Sequence, residues 1–429
     1  MLKRTRSFLV LVMLLMTVTM SAQVTTATMS GKVTAQDEPI IGATIVAIHE
    51  PSGTRYGTVT NVSGQFNLQG MRTGGPYKVE ISYVGYQTAI YKGINLLLGE
   101  NYVLNVSLKE SSELLDEVVV TASKESNMKS DRAGAIMNAN RDMISNTPTI
   151  SRSISDIMRL SPQGADVGNG FAVGGGNYRQ SFVTVDGAAF NNTFGLGGNL
   201  PANGSPISLD ALEQVTVAVT PFDVRQSGFT GGAINAVTRS GDNQFRGTAY
   251  MYFNNENLKG SKVDDYELLR SKAQYYTYGA SFGGPIIKDK LFFFVNGEYE
   301  DNVTAGSNYR PRTALGESYS GGNIHRPLQS DMDDMRGFLL NKYNFDPGKY
   351  NDYSTDTPAY RVMARVDWNA NQNNKVSFRF TKTHTKDSNF PTSSVSPLST
   401  SALYPGGTST EVIDGKPVGT IAPGQGRTS

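Results

Sequence analysis

The chain has 429 residues, enough for about two to four domains with sizeable cores. Lys+Arg is 39 against Asp+Glu 38, a net charge of +1, and no dense basic stretch follows the first six residues, which excludes a nucleic-acid binder. Cysteine is absent and the three histidines, His49, His325 and His384, lie far apart. Thiol catalysis, a disulfide framework and a Cys-ligated metal site are therefore excluded, and the spacing of the histidines gives a histidine-built metal site little support.

Lys3, Arg4 and Arg6 precede an apolar run from Phe8 to Met20, closed by the small residues Ser21 and Ala22. That order is a secretory signal peptide over residues 1–22, too short for a span of ~20 apolar residues. No later stretch reaches ~18 apolar residues, so no membrane helix is predicted.

Residues 23–110 read as short strands between turns. Tyr77, Val79 and Ile81 alternate with Lys78, Glu80 and Ser82, and Tyr102, Leu104, Val106 and Leu108 repeat the period of two. Ile45–Ile48 is continuously apolar, as in a strand covered on both faces. Turns at 37–39, 51–53, 61–64 and 74–76 divide the region into a small antiparallel sandwich. Ser30-Gly31-Lys32-Val33, Pro39-Ile40-Ile41-Gly42-Ala43, Thr60–Phe66 and Val84-Gly85-Tyr86 resemble the carboxypeptidase-regulatory-like domain, and that resemblance implies a module without catalytic residues. His49, at a strand end with no second histidine nearby, reads as a surface or edge residue.

A linker follows over 111–130, with the β-branched segment Asp116-Glu117-Val118-Val119-Val120-Thr121 inside polar flanks. On its residues alone it fits three readings: the last strand of the sandwich, the first strand of the next domain, or a segment that adds to another protein's sheet edge.

Residues 131–240 mix short helices and strands. Ser153 to Asp156 has capping-box spacing, with Ile154, Ile157 and Met158 on one face. Ser208–Leu212 suggests a second short helix before a strand carrying Val215, Val217 and Val219 on one side. The glycine runs at 174–176, 195–198 and 231–232 are followed by no Gly-Lys-Ser/Thr, so they are loops or close strand contacts rather than a phosphate cradle.

Phe182-Val183-Thr184-Val185-Asp186-Gly187, Leu209–Val217 and Ser227–Thr238 are similar to the plug of TonB-dependent outer-membrane receptors. Val219–Arg225 departs from the usual Lys-Gly-Pro-like turn and looks like the Oar-like branch, which often carries the same N-terminal sandwich. The resemblance implies plug-motif positions at Val185, Asp186, Gly187, Arg225, Gly228, Gly231, Gly232 and Asn235. It also implies that Asp116, Glu117, Val118, Val119, Val120 and Thr121 stand where such receptors keep the TonB box, the strand that pairs with TonB.

From 241 to 429 the alternation resumes with apolar and polar faces. Val362, Ala364, Val366 and Trp368 alternate with Arg361, Arg365 and Asp367, and Val376, Phe378 and Phe380 with Lys375, Ser377 and Arg379. Leu291–Tyr299, Phe245–Phe253 and Tyr275–Gly284 supply further strands. Their links alternate long (254–272), short (285–290), long (301–359) and short (369–374), as extracellular loops and periplasmic turns do. Asp331, Asp333 and Asp334 lie in the longest loop and read as a solvated acidic patch.

The expected fold is mostly β with an α+β plug: a small antiparallel sandwich, a plug domain and the first strands of a transmembrane β-barrel. Plugged transporters have about 22 strands, so five cannot close, and the sequence reads as the N-terminal fragment of a receptor of roughly 1,070 residues. The expected function is TonB-powered import of an extracellular ligand across the Gram-negative outer membrane, with the sandwich in the periplasm. The alternative is an adhesion or surface-assembly protein on the same scaffold. Expected partners are TonB, outer-membrane lipid and an unidentified ligand, with no nucleic acid. No enzyme activity, catalytic residue, cofactor or metal is expected.

Overall fold

The computed structural model describes residues 25–110, 118–121, 136–149, 152–167, 170–192, 204–219, 231–258, 272–305, 310–317, 324–350, 354–371 and 374–386, with short pieces elsewhere. The signal segment and Asp116, Glu117, Arg225 and Gly228 lie outside the described residues. Two compact units are present: Met1–Tyr250 with Gly279–Glu298 and Tyr360–His384, and Met251–Tyr278 with Tyr299–Ala359 and Thr385–Ser429.

The first unit opens with the sandwich. Strand β1 (Ala27–Ala35) is followed by β2 (Thr44–His49), β3 (Thr54–Val59), β4 (Gln65–Met71), β5 (Gly74–Ser82) and β6 (Ala89–Leu96). In one sheet β1 pairs antiparallel with β4 and parallel with the short strands Asn101–Val103 and Val106–Ser107. The other sheet has the order β7-β6-β5-β2-β3, where β7 is Val118–Thr121. Met29, Val33, Ile45, Ala47, Tyr77, Val79, Ile81 and Leu96 fill the space between the sheets. Removing each aliphatic side chain from water contributes about 1.5–3 kcal/mol. Gly31 has no room for a side chain: a Cβ there would lie 1.9 Å from the Leu104 carbonyl oxygen of the crossing chain.

His49 departs from expectation. It is 6 % exposed, and its Nδ1 shares a 2.7 Å hydrogen bond with Ser52 Oγ, which in turn meets Thr54 Oγ1 at 2.7 Å. The strand-end position suggested an edge, but the 50–54 turn folds back over the ring and supplies its polar partner.

The third sheet of this unit is the core of the 131–240 region. Its order is β8-β10-β11-β9, with β8 Ile136–Ala139, β9 Phe182–Val185, β10 Leu212–Ala218 and β11 Ala233–Thr238; the short strand Ala188–Ala189 closes it beyond β9. β10 pairs antiparallel with β8 and β11, and β9 runs parallel to β11. Every residue of β11 is buried, and β10 buries Gln214, Thr216 and Ala218 as well as Val215 and Val217. The single apolar side expected for β10 is thus two covered sides. Helices α1 (Arg141–Asn146) and α2 (Ile154–Met158) contribute Ile144, Ile154, Ile157 and Met158 to a core that also takes Phe294 and Met363 from later strands. Asn140 caps α1 through Met143 N at 2.9 Å, and Ser153 N donates to Asp156 Oδ2 at 3.3 Å. The second predicted helix is a single 3₁₀ turn, Leu209–Ala211.

A fourth sheet has the order β12-β13-β14-β15-β16: Arg246–Asn255, Gln274–Ile287, Leu291–Ala305, Ala359–Asn369 and Lys375–Thr385. Strands of 10 to 15 residues are long enough for tilted membrane strands. Along β15, Arg361, Met363, Arg365 and Asp367 are buried, while Val362 and Trp368 are exposed. Among the described residues the end strands β12 and β16 do not pair with each other. No described helix is long and apolar enough to cross a membrane.

In the second unit, helix α3 (Gln329–Tyr343) occupies the stretch expected as an acidic loop, ending at Asn344 with a left-handed φ of 51°. Asp333 accepts from Tyr350 Oη at 2.5 Å, and Arg336 forms a two-pronged pair with Asp346 at 3.1 Å. The Arg336 guanidinium holds the Asp346 carboxyl below the usual carboxylate range. No described residues form a cluster that could hold a metal ion.

Candidate docking and coupling site

Of the segment expected to dock a partner, Val118–Thr121 forms β7, paired in parallel with β6 in the register Val118↔Ala89, Val119↔Ile90, Val120↔Tyr91 and Thr121↔Lys92. Among the described residues it is the outermost strand of its sheet. The reading as the sandwich's last strand, open from the sequence, thus describes its pairing.

The described plug-motif residues fall at both ends of the parallel pair β9–β11: Gly231 and Gly232 where the strands begin, Val185, Asp186 and Gly187 where they end, and Asn235 between. Val185 is buried at the end of β9. Asp186 and Gly187 turn the chain with positive φ of 50° and 84°. The Asp186 carboxylate accepts from Thr238 N at 3.0 Å and from Thr238 Oγ1, and Arg379 Nε lies 3.5 Å away. Arg365 Nη1 donates to the Thr238 carbonyl at 2.6 Å. Asn235 Oδ1 accepts from Thr184 Oγ1 at 2.6 Å between adjacent strands. Gly231 N donates to Gln180 O at 3.1 Å, and a Cβ on Gly232 would lie 2.5 Å from Val173 Cγ1. These residues therefore set backbone turns and close approaches; none presents a free functional group to solvent.

The strongest coupling lies at residues not singled out from the sequence. Asp210, on the 3₁₀ turn before β10, accepts from Thr248 Oγ1 at 2.6 Å and pairs with Arg141 at 3.3 Å and Arg239 at 3.6 Å. Both guanidiniums also donate to its carbonyl, at 3.0 and 3.2 Å. Burial alone would raise the Asp210 carboxyl, but bonds from Ser281 and Thr248 and the charges of Arg239 and Arg141 hold it below the usual carboxylate range. Beside it, Glu298 accepts from Ser208 Oγ at 2.9 Å, from Tyr250 Oη, and from Arg361 Nη1 at 2.9 Å. Arg361 and Glu298 are 2 % and 3 % exposed, and Arg361 Nε also reaches the Ser205 carbonyl. A plug turn is thus held to strands β12, β13, β14 and β15 by two buried charge clusters. The sequence offered one clue: Arg361 sits on the polar face of a strand whose other face is apolar.

The sandwich joins the same assembly. Tyr77 Oη donates to the Arg72 carbonyl at 2.7 Å and Tyr56 Oη accepts from Arg72 N at 3.1 Å, which fixes the backbone of Arg72. Its guanidinium reaches Asp367 at 3.3 Å and Ser240 Oγ. Lys375 Nζ stands 3.2 Å over the Tyr56 ring, and Leu98 N donates to Gln214 Oε1 at 3.1 Å. A cavity of about 650 Å³ lies among these groups. A bulge between Leu212 and Gln214 turns Glu213 toward it, where burial raises its carboxyl against the pull of Arg141, Arg239, Arg72 and Arg365.

Comparison with known proteins gives two family matches: "Carboxypeptidase regulatory-like domain" over residues 28–109 and "Outer membrane beta barrel domain" over 237–413. The TonB-dependent transporter Oar of Myxococcus xanthus is 27 % identical over 256 residues, covering 58 % of this chain and 22 % of that protein. The TonB-dependent receptor SusC of Bacteroides thetaiotaomicron is 29 % identical over 269 residues, covering 59 % and 24 %. The matches thus span about a quarter of the length of these relatives. Among solved structures, the siderophore receptor PirA from Acinetobacter baumannii aligns with a TM-score of 0.41 at 17 % identity, covering 58 % of this chain and 31 % of that one. The relatives are transporters and receptors. The chain combines a carboxypeptidase-regulatory-like domain with outer-membrane barrel strands, is related to TonB-dependent transporters, and resides in the Gram-negative outer membrane.

Proposed function

We propose that this protein is an energy-coupled importer: it takes up an extracellular ligand, and TonB, pairing with Asp116–Thr121, supplies the work that opens the plug. The observation that carries this reading is the path from that segment into the plug. Only residues 122–135 separate Thr121 from Ile136, the first residue of β8, and β8 is an edge strand held by four residue pairs to β10. Tension arriving at Ile136 peels β8 from the edge, one pair at a time. Two residues beyond Ala139 it meets Arg141, whose guanidinium holds Asp210 and the Leu212 carbonyl. Drawing Arg141 away leaves Asp210 with Arg239 and Thr248, and loosens the turn that Ser208 anchors to Glu298. No bond is made or broken in this cycle; the side chains supply latches.

Pairing with TonB depends on main-chain hydrogen bonds, so Val119→Pro, which removes a donor and restricts its neighbour, tests the reading. Capture of the purified C-terminal domain of TonB by the solubilised outer-membrane protein falls at least tenfold in the variant while heat-modifiable migration of the barrel persists. Unchanged capture refutes the assignment of the segment.

A further inference from the structure

We propose that the β6 edge of the sandwich is a strand-accepting surface whose occupant is this chain's own Val118–Thr121, so that the sandwich holds the TonB-docking segment in a closed state that a partner strand must compete against. The inference rests on the docking reading of that segment and adds a regulator to it. Three observations support it.

The first is register. Ala89, Ile90 and Tyr91 pair on one side with Ile81, Glu80 and Val79 of β5, and on the other with Val118, Val119 and Val120. Without β7, the row of peptide groups on the outer side of β6 is an open sheet edge, the kind of surface that accepts an extended β-branched strand. The second is delivery of the chain. Gln87 N donates to Lys109 O at 2.9 Å, Tyr86 bridges Glu110, and Gln36 Nε2 holds Glu110 Oε1 at 3.1 Å. The chain is therefore anchored beside the start of β6, and only residues 111–117 separate that anchor from Val118. A tether this short sets an effective concentration on the order of millimolar, which an incoming strand has to exceed. The third is burial. Ile90 is 3 % exposed yet belongs to none of the apolar clusters of the described residues, so its cover comes from outside the sandwich's own core.

The apparent affinity for TonB is then the intrinsic affinity multiplied by the fraction of molecules with β7 released. Ligand-driven loosening of the sandwich or its linker raises that fraction without touching the plug.

The chain has no cysteine, so an engineered pair reports cleanly. Aligned residues of neighbouring strands stand about 4.8 Å apart, inside the range a disulfide spans. Lys92→Cys with Thr121→Cys joins one register pair whose β6 member is exposed, and Tyr91→Cys with Val120→Cys is the second pair should the first assemble poorly. Both are made in the protein as it sits in outer membranes, with heat-modifiable migration as the control for an intact barrel. The expected result is a crosslink on mild oxidation, a fall of at least tenfold in capture of the TonB C-terminal domain, and recovery on reduction. Failure of both pairs to crosslink overturns the proposal, and so does a crosslinked protein that captures TonB as well as the reduced one. If the cysteine-free protein captures no TonB, the docking reading itself fails and sequestration with it, whereas the crosslink still reports the pairing separately.

Discussion

Strand β5 of the sandwich and strand β15 of the barrel sheet follow the same two-residue period and bury opposite chemistry. In β5, Tyr77, Val79 and Ile81 are fully covered while Lys78 and Glu80 stay at the surface. In β15, Arg361, Arg365 and Asp367 are covered and Val362 and Trp368 face outward. The period reports only that a strand has two unlike faces. What surrounds each face decides which one is inside: water outside the sandwich drives its apolar face inward, whereas lipid outside a barrel accepts the apolar face and leaves the polar one to meet the plug.

The comparison breaks most sharply at Arg361. Arg361→Met leaves Glu298 buried without its cation and lowers stability by about 3–5 kcal/mol, read as the urea midpoint of heat-modifiable migration. Adding Glu298→Met recovers most of that loss, because the pair's cost lies in stranding one charge. The opposite face of the argument is Ile81→Ala in β5, which opens a cavity in the sandwich and costs about 2–5 kcal/mol with the barrel sheet unaffected. Equal loss in both domains, followed by separate tryptic protection of each, contradicts their having independent cores.

A smaller effect separates the two regions by pH. Burial, with the Arg72 charge adding to it, pushes His49 from 6.5 down to about 3. Below 6.5 the unfolded chain binds a proton that the folded sandwich refuses, so its stability is full above that pH and declines as pH falls toward about 3. The loss at roughly pH 5 is about 2 kcal/mol, measured by denaturant titration, and His49→Phe flattens the slope. The smallest expected change is on the outward face: Trp368→Lys, one residue from the end of β15, costs about 1 kcal/mol or less, since charges near the membrane interface are tolerated.

Much of this was legible because it is local. The alternation at Tyr77–Ile81 and Arg361–Trp368, the capping spacing at Ser153, and the Val-Asp-Gly turn at 185–187 all report on neighbours within a few residues. What escaped depends on partners far along the chain. Asp210 carries no local signal of its role; its significance comes from Arg141, Arg239 and Thr248 arriving from different parts of the chain. His49 is covered by a turn that a strand pattern cannot represent. The pairing of Val118–Thr121 was undecidable from composition, since β-branched residues fit any sheet edge and only the anchor at Glu110 selects β6. Helix α3 was missed because its exposed Met335, Phe338 and Leu340 give no one-sided apolar face for the eye to follow.

The wholly covered strand β11 has a consequence for how the protein is made. Ala233–Thr238 carries no charge and no proline, and such segments associate with one another when bare. Its two neighbours are built from chain that leaves the export channel earlier: β9 some fifty residues before it and β10 some fifteen. Each therefore waits with one edge open until β11 emerges to join it. During that interval the nascent plug is a sheet lacking its middle strand, and the periplasm must keep it from finding that strand in another molecule.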